Sequence, residues 1–427
     1  MVRISRLLLG LLCLALVPAV FGSPRSTVEE LATIINNNFY DPVKARDIAS
    51  QLRKEAQAGA FDAIADPRDL ASNLTRKLKP FDHHFNVTWS QSPAGPTAGS
   101  AASGIPPIAS ELQDRRTSYG FRSVEMLPGA IGYIDMRFFA DFSFARPEEP
   151  ARLAADSALQ LVAGADAVII DVRANGGGSP AMVGYLVSAF TAPGADIYNL
   201  FHRRDGTESE RPAQPYLRPR LDVPLYVLIS GRSASAAESL AYTLQAAKRA
   251  TIVGERSAGA ANPGGEFPLG DGFNVFVSTG TPVNPLTHAN WEGAGVQPDI
   301  PVPAEQALQR AQIMALEGVL AKNPQGPGAI DTRWVLEALR AERASPGGPA
   351  LSEYVGAYAD ATVSAVGAQL ALRRGRQPQV ALLRLTGDAF CVRAEPFRRV
   401  LFERDSTGKV KGFQFVRSSG QALWYPR

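Results

Sequence analysis

Between residues 120 and 303, apolar runs of strand length alternate with helical patterns, and this alternation most constrains the fold of the chain. The strand-like runs are "AIGYIDM", "ADAVIIDV" and "VPLYVLIS", and two of the helical patterns are "EPARLAADSALQLVAG" and "AESLAYTLQAAKRA". Strands that are apolar along their whole length are typical of a sheet that helices cover. The sequence therefore predicts an α/β core.

The segments on either side of this core have different patterns. Before it lie three helical patterns, two of which begin with Asp-Pro, an N-cap followed by proline at the first helical position. After residue 350, short strand-like runs are separated by turn residues. We divide the chain into a signal peptide (1–22), an N-terminal helical domain (23–89), a linker or loop (90–117), the core (118–325), a helical connector (326–349) and a small C-terminal β-rich domain (350–427).

The first residues have the pattern of a secretory signal. Arg3 and Arg6 precede an apolar run over 7–20, and small residues follow it. The alternative is a membrane anchor, for which the run is short. We predict cleavage after Gly22, export to the periplasm or the extracellular space, and no membrane span in the mature protein.

Composition excludes several classes of function. A formal net charge of +3 is too small to favour a nucleic-acid partner. The two cysteines are Cys13 and Cys391, so loss of the signal peptide leaves one thiol and no intrachain disulfide. With four histidines and no Cys/His cluster, we predict no metal site, and the run "GGGSPAM" lacks the spacing of a dinucleotide loop. We predict no cofactor.

Two stretches can carry chemistry. The first, "YVLISGRSASAAESLAYTL", predicts a strand, a tight turn and a helix, an arrangement that suits a serine nucleophile and an oxyanion. Its segment Ser235-Ala-Ala-Glu238 is also a capping box, which implies no chemistry. The second, "AVIIDVRANGGGSPAM", is a strand followed by Asn175 and three glycines, whose N–H groups can approach a substrate closely. A plain turn is the alternative for this stretch.

Taken in order, "DVRANGGG", "SASAAES", "VGERSAGAANPGG" and "WEGAGVQPDI" resemble the carboxyl-terminal-processing, or tail-specific, serine peptidases. The branch that these stretches resemble includes the tricorn protease core and interphotoreceptor retinoid-binding protein. The resemblance covers roughly residues 26–320. It implies that the α/β core is a crotonase-like spiral of ββα units and that the protein hydrolyses peptide bonds.

The resemblance also implies roles for individual residues. The family nucleophile lies three positions before the glutamate of the Ser-x-x-Glu motif, which makes it Ser235. Its oxyanion hole would combine the N–H of Ala236 with that of Gly177, or of Gly176 next to it. Relatives with a Ser–Lys dyad have their lysine at the position of Ala260, so this chain departs from that pattern.

The general base must then be another group, and imidazole is suited to the task near neutral pH. The histidines are His83, His84, His202 and His288. In the tricorn-like branch the catalytic histidine precedes the core, and the Asp-x-His-aromatic pattern in "PFDHHFNVTW" selects His84. An exposed loop is the alternative reading of this stretch. His288 is a rival base, because it lies near a second candidate in the sequence.

That second candidate is Glu292, which matches the acidic member of the tricorn tetrad. A carboxylate there would support the acid–base system, although a strand-edge glutamate in a glycine-rich turn is the alternative. Trp291 either lines a substrate pocket or packs in the core.

We therefore predict an exported serine endopeptidase with a Ser-His-Glu site, without a PDZ module and without the Ser–Lys dyad. Its partners would be peptides or unfolded proteins. The alternative is a non-catalytic binder of apolar small molecules or peptides on the same fold. An acyl-CoA enzyme of the crotonase type would not need Ser235.

Overall fold

The computed structural model describes residues 23–91, 107–344 and 347–427. The predicted signal peptide and most of the predicted linker lie outside these ranges. The chain divides into two compact units, which are described separately below. Unit 1 comprises Met1–Gly104 with Gly264–Thr279, and unit 2 comprises Ile105–Pro263 with Gly280–Arg427.

The helices of the described ranges are α1 (Pro24–Asn38), α2 (Pro42–Gln57), α3 (Pro67–Leu78), α4 (Pro107–Arg116), α5 (Pro150–Leu161), α6 (Pro180–Ser188), α7 (Ala236–Ala246), α8 (Ala307–Lys322) and α9 (Ala329–Ala344). Short 3-10 helices are Ser118–Gly120, Ala304–Gln306 and Leu351–Tyr354. Within the described part of the chain, no helix has both the length and the apolar character needed to cross a membrane.

The strands before the C-terminal region are β1 (Asn86–Trp89), β2 (Phe121–Leu127), β3 (Ile131–Met136), β4 (Ala167–Asp171), β5 (Leu200–Arg203), β6 (Thr207–Ser209), β7 (Leu225–Ile229), β8 (Thr251–Gly254), β9 (Gly264–Pro268), β10 (Phe273–Ser278), β11 (Gly280–Val283) and β12 (Ile300–Pro301). Those of the C-terminal region are β13 (Gly356–Tyr358), β14 (Ala361–Val366), β15 (Gln369–Arg374), β16 (Val380–Thr386), β17 (Ala389–Val392), β18 (Glu395–Arg404), β19 (Val410–Arg417) and β20 (Ala422–Pro426).

Unit 1 contains the three predicted helices and a sheet that the sequence did not indicate. The Asp-Pro starts are confirmed: the Asp41 and Asp66 carboxylates accept backbone N–H groups at the beginnings of α2 and α3. The antiparallel sheet has the order β1-β10-β9. Two of its strands come from the Gly264–Thr279 segment, which our sequence division assigned to the core. This pairing joins distant parts of the chain, so no local pattern could predict it.

The α/β core of unit 2 is built on a six-stranded sheet of order β12-β8-β7-β4-β3-β2. Strands β3, β4, β7, β8 and β12 pair in parallel, and β2 pairs antiparallel to β3. Successive residues of β4 face opposite sides: Val168 and Ile170 belong to the apolar cluster with α5, α6 and α7, and Ile169 belongs to the cluster with α8 and α9. The predicted α/β class is confirmed, and the spiral of ββα units stays a prediction.

The C-terminal region is an antiparallel meander in which β13 to β20 pair in chain order. The β-rich character predicted for this region is confirmed. The last strand of the meander is hydrogen-bonded to its first part. The Arg427 guanidinium donates to the Val355 carbonyl, and Arg374 on β15 donates to the Tyr425 hydroxyl on β20. Within the predicted linker, residues 107–116 form helix α4.

One buried cation links the meander to α9. The guanidinium of Arg399 is 4% exposed, donates to the Trp334 carbonyl at 3.0 Å and pairs with the Glu337 carboxylate at 2.7 Å. Burial lowers the pKa of Arg399. Substitution of a buried, paired cation destabilises a protein, because its partner groups then lose their hydrogen-bond donor.

We expect Arg399→Ala to lower the free energy of unfolding by about 2 to 3 kcal/mol. The matched control is Arg393→Ala, which breaks a half-exposed pair with Glu342 on the same helix and should cost less than about 1 kcal/mol. Urea titration followed by circular dichroism measures both. Equal effects of the two substitutions would contradict the role assigned to Arg399.

Candidate active site

Ser235 lies in the turn between β7 and α7, and its backbone conformation is strained. Its φ and ψ are 54° and −117°, in a region that non-glycine residues rarely adopt. The residue is exposed, although it directly precedes the buried N-terminus of α7. A strained and exposed serine between a strand and a helix is typical of nucleophile turns in α/β hydrolases.

The other three serines of this stretch have structural partners. The Ser230 hydroxyl donates to the Arg173 carbonyl at 2.6 Å, and the Ser233 hydroxyl donates to the Val172 carbonyl at 2.7 Å. The Ser239 hydroxyl donates to the Glu210 carboxyl group. All three are buried, so the surface exposes Ser235 alone of the four.

The glycine-rich loop after β4 lies directly against Ser235. A Cβ added to Gly177, where φ is +120°, would lie 3.1 Å from the Ser235 hydroxyl oxygen, so only glycine fits there. Asn175 orders the loop: its side chain donates to the Met136 carbonyl and accepts the Gly177 N–H at 2.9 Å. Its own carbonyl accepts the N–H of Ala234 at 3.1 Å, which connects the loop to the residue before Ser235.

The predicted oxyanion donors differ in their surroundings. Ala236 is the first residue of α7, a position whose N–H has no acceptor within the helix. The N–H of Gly177 points to Asn175, so it would have to turn to reach an oxyanion. Gly176 is exposed, and among the described residues nothing lies within 4 Å of the place where its Cβ would be. The roles of both glycines stay predictions.

Glu238 is fully buried three residues after Ser235, and its carboxylate accepts four hydrogen bonds. One oxygen accepts the N–H groups of Ser235 and Ala260, at 2.8 and 2.9 Å. The other accepts the Ser257 hydroxyl and the Gly259 N–H, at 2.5 and 2.6 Å. The Ser-x-x-Glu motif predicted the contact with the Ser235 N–H, as half of a capping box. The other three come from a distant loop, which no local pattern reveals.

Glu292 binds the same loop from its other end. One carboxylate oxygen accepts the N–H groups of Ala261 and Asn262, at 2.8 and 3.1 Å. The N–H of Glu292 donates to the Asn290 side chain at 2.9 Å, which fixes the start of its turn. The structure therefore places Glu292 at a loop that Glu238 connects to Ser235. Its catalytic role stays a prediction.

His84 belongs to unit 1, where a carboxylate orients its ring. Asp82 is buried, and its Oδ1 accepts the His84 backbone N–H at 2.7 Å and lies 3.2 Å from Nδ1. The ring also packs on Phe276, with the centroids 5.9 Å apart. A proton on Nδ1 directed at Asp82 puts the lone pair on Nε2, the nitrogen that acts as base in serine hydrolases. The Asp-x-His-aromatic pattern includes Asp82, but it did not predict this contact between the ring and the carboxylate.

The other histidines have different environments. His83 is exposed in the same turn, and its carbonyl accepts the Lys79 ammonium group. His202 is exposed on β5, with Nδ1 3.1 Å from the Thr207 hydroxyl. His288, the rival base, is exposed in a turn with φ of 53°.

Trp291 lies inside the apolar core of unit 2. Its side chain is 2% exposed and packs against Tyr242, with ring centroids 5.2 Å apart. A tryptophan buried to this extent contributes to packing. Of the two readings of Trp291, the structure favours the packing role.

A second buried acidic group, Glu210, contacts α7 at Ser239, one turn after Ser235. Glu210 is 4% exposed and accepts hydrogen bonds from Ser239 at 2.7 Å and from the Asn199 side chain at 3.1 Å. Burial raises its pKa from 4.5 to about 7. A carboxyl group whose pKa is raised by folding stabilises the protein at low pH, and this contribution is lost as pH rises through the folded-state pKa.

We expect the stability of the wild-type protein to fall between pH 4.5 and pH 8 relative to that of Glu210→Gln. The difference should change by roughly 3 kcal/mol, because each pKa unit corresponds to about 1.4 kcal/mol. Urea unfolding at several pH values measures it. Glu208→Gln, at an exposed position on β6, is the control and should leave the pH dependence unchanged. Parallel wild-type and Glu210→Gln curves would contradict the prediction.

Part of the chain that carries this site matches a known protein family. Residues 130–302 match the family model described as Peptidase family S41. A carboxyl-terminal-processing protease from Synechocystis sp. is 31% identical over 196 residues, which are 46% of this chain and 41% of that protein. The chloroplastic carboxyl-terminal-processing peptidase 1 of Arabidopsis thaliana is 29% identical over 182 residues, 43% of this chain and 35% of that protein.

Among solved structures, the photosystem II D1 C-terminal processing protease aligns with a TM-score of 0.42 and 17% identity, over 67% of this chain and 94% of that chain. The aligned part of the chain spans less than half the length of the Synechocystis and Arabidopsis relatives, 41% and 35% respectively.

Proposed function

We propose that this protein is a serine endopeptidase, because residues 130–302 match the model of peptidase family S41, in line with the resemblance to the carboxyl-terminal-processing peptidases. The observation that carries the proposal is the strained and exposed Ser235, held beside a glycine-rich loop at the N-terminus of α7. Such a turn presents a hydroxyl group and helix N–H groups to the same space, as acyl transfer requires.

In the proposed mechanism the Ser235 oxygen attacks the carbonyl carbon of the peptide bond. Nε2 of His84 accepts the hydroxyl proton and later donates it to the departing amine. A water molecule, deprotonated by the same imidazole, then hydrolyses the acyl-enzyme. No metal or cofactor takes part in these steps.

Two carboxylates and two N–H groups support this chemistry. In this mechanism Asp82, whose Oδ1 lies 3.2 Å from His84 Nδ1, accepts the Nδ1 proton and so leaves Nε2 as the base. Glu292 assists the acid–base system as the acidic member of the site. The N–H of Ala236, with that of Gly177 or Gly176, stabilises the oxyanion. Ala260 supplies no base, and Lys248 is exposed beyond the end of α7, so a Ser–Lys dyad has no support.

We expect a fluorophosphonate probe to label Ser235, because a general base raises the nucleophilicity of its hydroxyl. Ser235→Ala should abolish labelling, and His84→Ala should slow it by about 100-fold or more. Labelling is quantified by intact-protein mass spectrometry, and peptide hydrolysis is followed with a quenched fluorescent casein.

The matched controls are His83→Ala, His202→Ala and His288→Ala, which should each label at the wild-type rate. Labelling that survives Ser235→Ala would overturn the nucleophile assignment. If His288→Ala blocks labelling while His84→Ala does not, His288 is the base. A wild-type protein that neither labels nor cleaves would favour the non-catalytic binder.

We propose that the substrates are peptides or unfolded proteins, and that the enzyme acts after export. The predicted signal over residues 1–22 supports export. Expressed in a Gram-negative host, the full chain should appear in the periplasmic fraction with Ser23 at its N-terminus, as read by Edman sequencing. A retained Met1 in the membrane fraction would instead show an anchor.

A further inference from the structure

A buried carboxylate, Glu238, and a half-buried one, Glu292, hold four consecutive backbone N–H groups of one loop, residues 259–262, which we name the clamped loop. Glu238 accepts the N–H groups of Gly259 and Ala260, and Glu292 accepts those of Ala261 and Asn262. All four distances lie between 2.6 and 3.1 Å. Since adjacent residues bind two different carboxylates, displacement of one carboxylate moves the donors of the other.

Glu238 also binds the nucleophile turn. The oxygen that accepts the Ala260 N–H is the one that accepts the N–H of Ser235. The backbone nitrogens of these two residues are therefore separated by no more than two hydrogen-bond lengths. One oxygen atom of Glu238 therefore connects Ser235 directly to the clamped loop.

A capping role alone does not account for these contacts. A capping box requires only the N–H at the helix start and the side chain three residues later. Here three further donors reach Glu238 from outside α7, including the Ser257 hydroxyl, which itself accepts the N–H of Val296 at 2.6 Å. The side chain has no exposed surface, so water does not supply these bonds.

We propose that Glu238 is a positioning residue for the reaction: it fixes the distance between Ser235 and the loop that orients Glu292. This inference rests on the proposed function. All four partners of Glu238 are donors, the arrangement that an ionised carboxylate satisfies and a glutamine does not. Glu238→Gln turns an amide group toward N–H donors and leaves at least one pair of them unsatisfied.

The first measurement is amide hydrogen exchange of the full-length protein, which needs no activity. We expect Glu238→Gln to raise exchange of the clamped loop by about tenfold or more, including Ala261 and Asn262, which Glu292 binds. The matched control is Glu210→Gln, which changes another buried carboxyl group beside α7 and should leave the clamped loop protected. Unchanged protection in Glu238→Gln would overturn the proposal.

The second measurement is turnover per active site, with sites counted by fluorophosphonate titration. A displaced nucleophile or acid–base group should lower kcat by about 100-fold, with KM nearly unchanged. A purely structural role would lower the number of titrated sites and leave turnover per site at the wild-type value. That result would overturn the positioning role even if exchange increases.

If Glu238→Gln does not fold, Ser257→Ala tests the same idea by removing one of the four donors. It should lower turnover per site by about tenfold and deprotect the clamped loop, and wild-type values for both would overturn the proposal. Absence of labelling in the wild-type protein is a separate outcome. It would overturn the proposed function and the catalytic meaning of Glu238, whereas the exchange data would still decide whether the loop is clamped.

Discussion

A carboxylate without exposed surface must obtain its hydrogen bonds from the protein, and Glu238 imposes this requirement on the centre of unit 2. Moving an unpaired charge out of water costs many kcal/mol, so such a group is tolerated only when donors surround it. Glu238 collects its donors from the start of α7 and from residues 257–260. The turn that carries Ser235 and the loop that contacts Glu292 are consequently parts of one hydrogen-bonded structure.

The same region holds a second buried acidic group, Glu210, whose hydrogen-bond donors are of a different kind. Among the described residues, the Glu210 carboxyl group accepts hydrogen bonds from the Ser239 hydroxyl and the Asn199 amide, and burial raises its pKa to about 7. Three of the four donors of Glu238 are backbone N–H groups, whereas those of Glu210 are side chains. Two acidic groups buried beside the same helix thus differ in the kind of donor that surrounds them.

Much of the architecture could be predicted because it depends on local patterns. Apolar strand runs, Asp-Pro helix starts and the Ser-x-x-Glu motif all act within a few residues, and the α/β core, α2, α3 and the Ser235 N–H contact to Glu238 followed from them. The features that were missed connect distant segments. The pairing of β1 with β10 and the loop donors of Glu238 depend on tertiary contacts that no window of the sequence contains.

In the candidate site, too, local patterns predicted some features, and contacts seen only in the folded chain determine the others. The Asp-x-His-aromatic pattern selected His84, yet the ring–carboxylate contact with Asp82 became visible only in the turn that precedes β1. The family resemblance implied Gly177 as an oxyanion donor, and the structure places this glycine, with φ of +120°, beside Ser235; its role as a donor stays a prediction. The direction of its N–H depends on the side chain of Asn175, which the sequence alone does not orient.

The sheet of unit 1 has a consequence for the order in which the chain can fold. Its middle strand, β10, is synthesised after strands β2 to β8 of the α/β core. Phe273, Val275 and Val277 of β10 bury their side chains among those of α1, α2 and α3. Until these residues are synthesised, the three helices carry an unfinished apolar face that includes Phe39 and Phe85. The apolar core of the part that is translated first therefore cannot be completed until residues 273–277 have been synthesised.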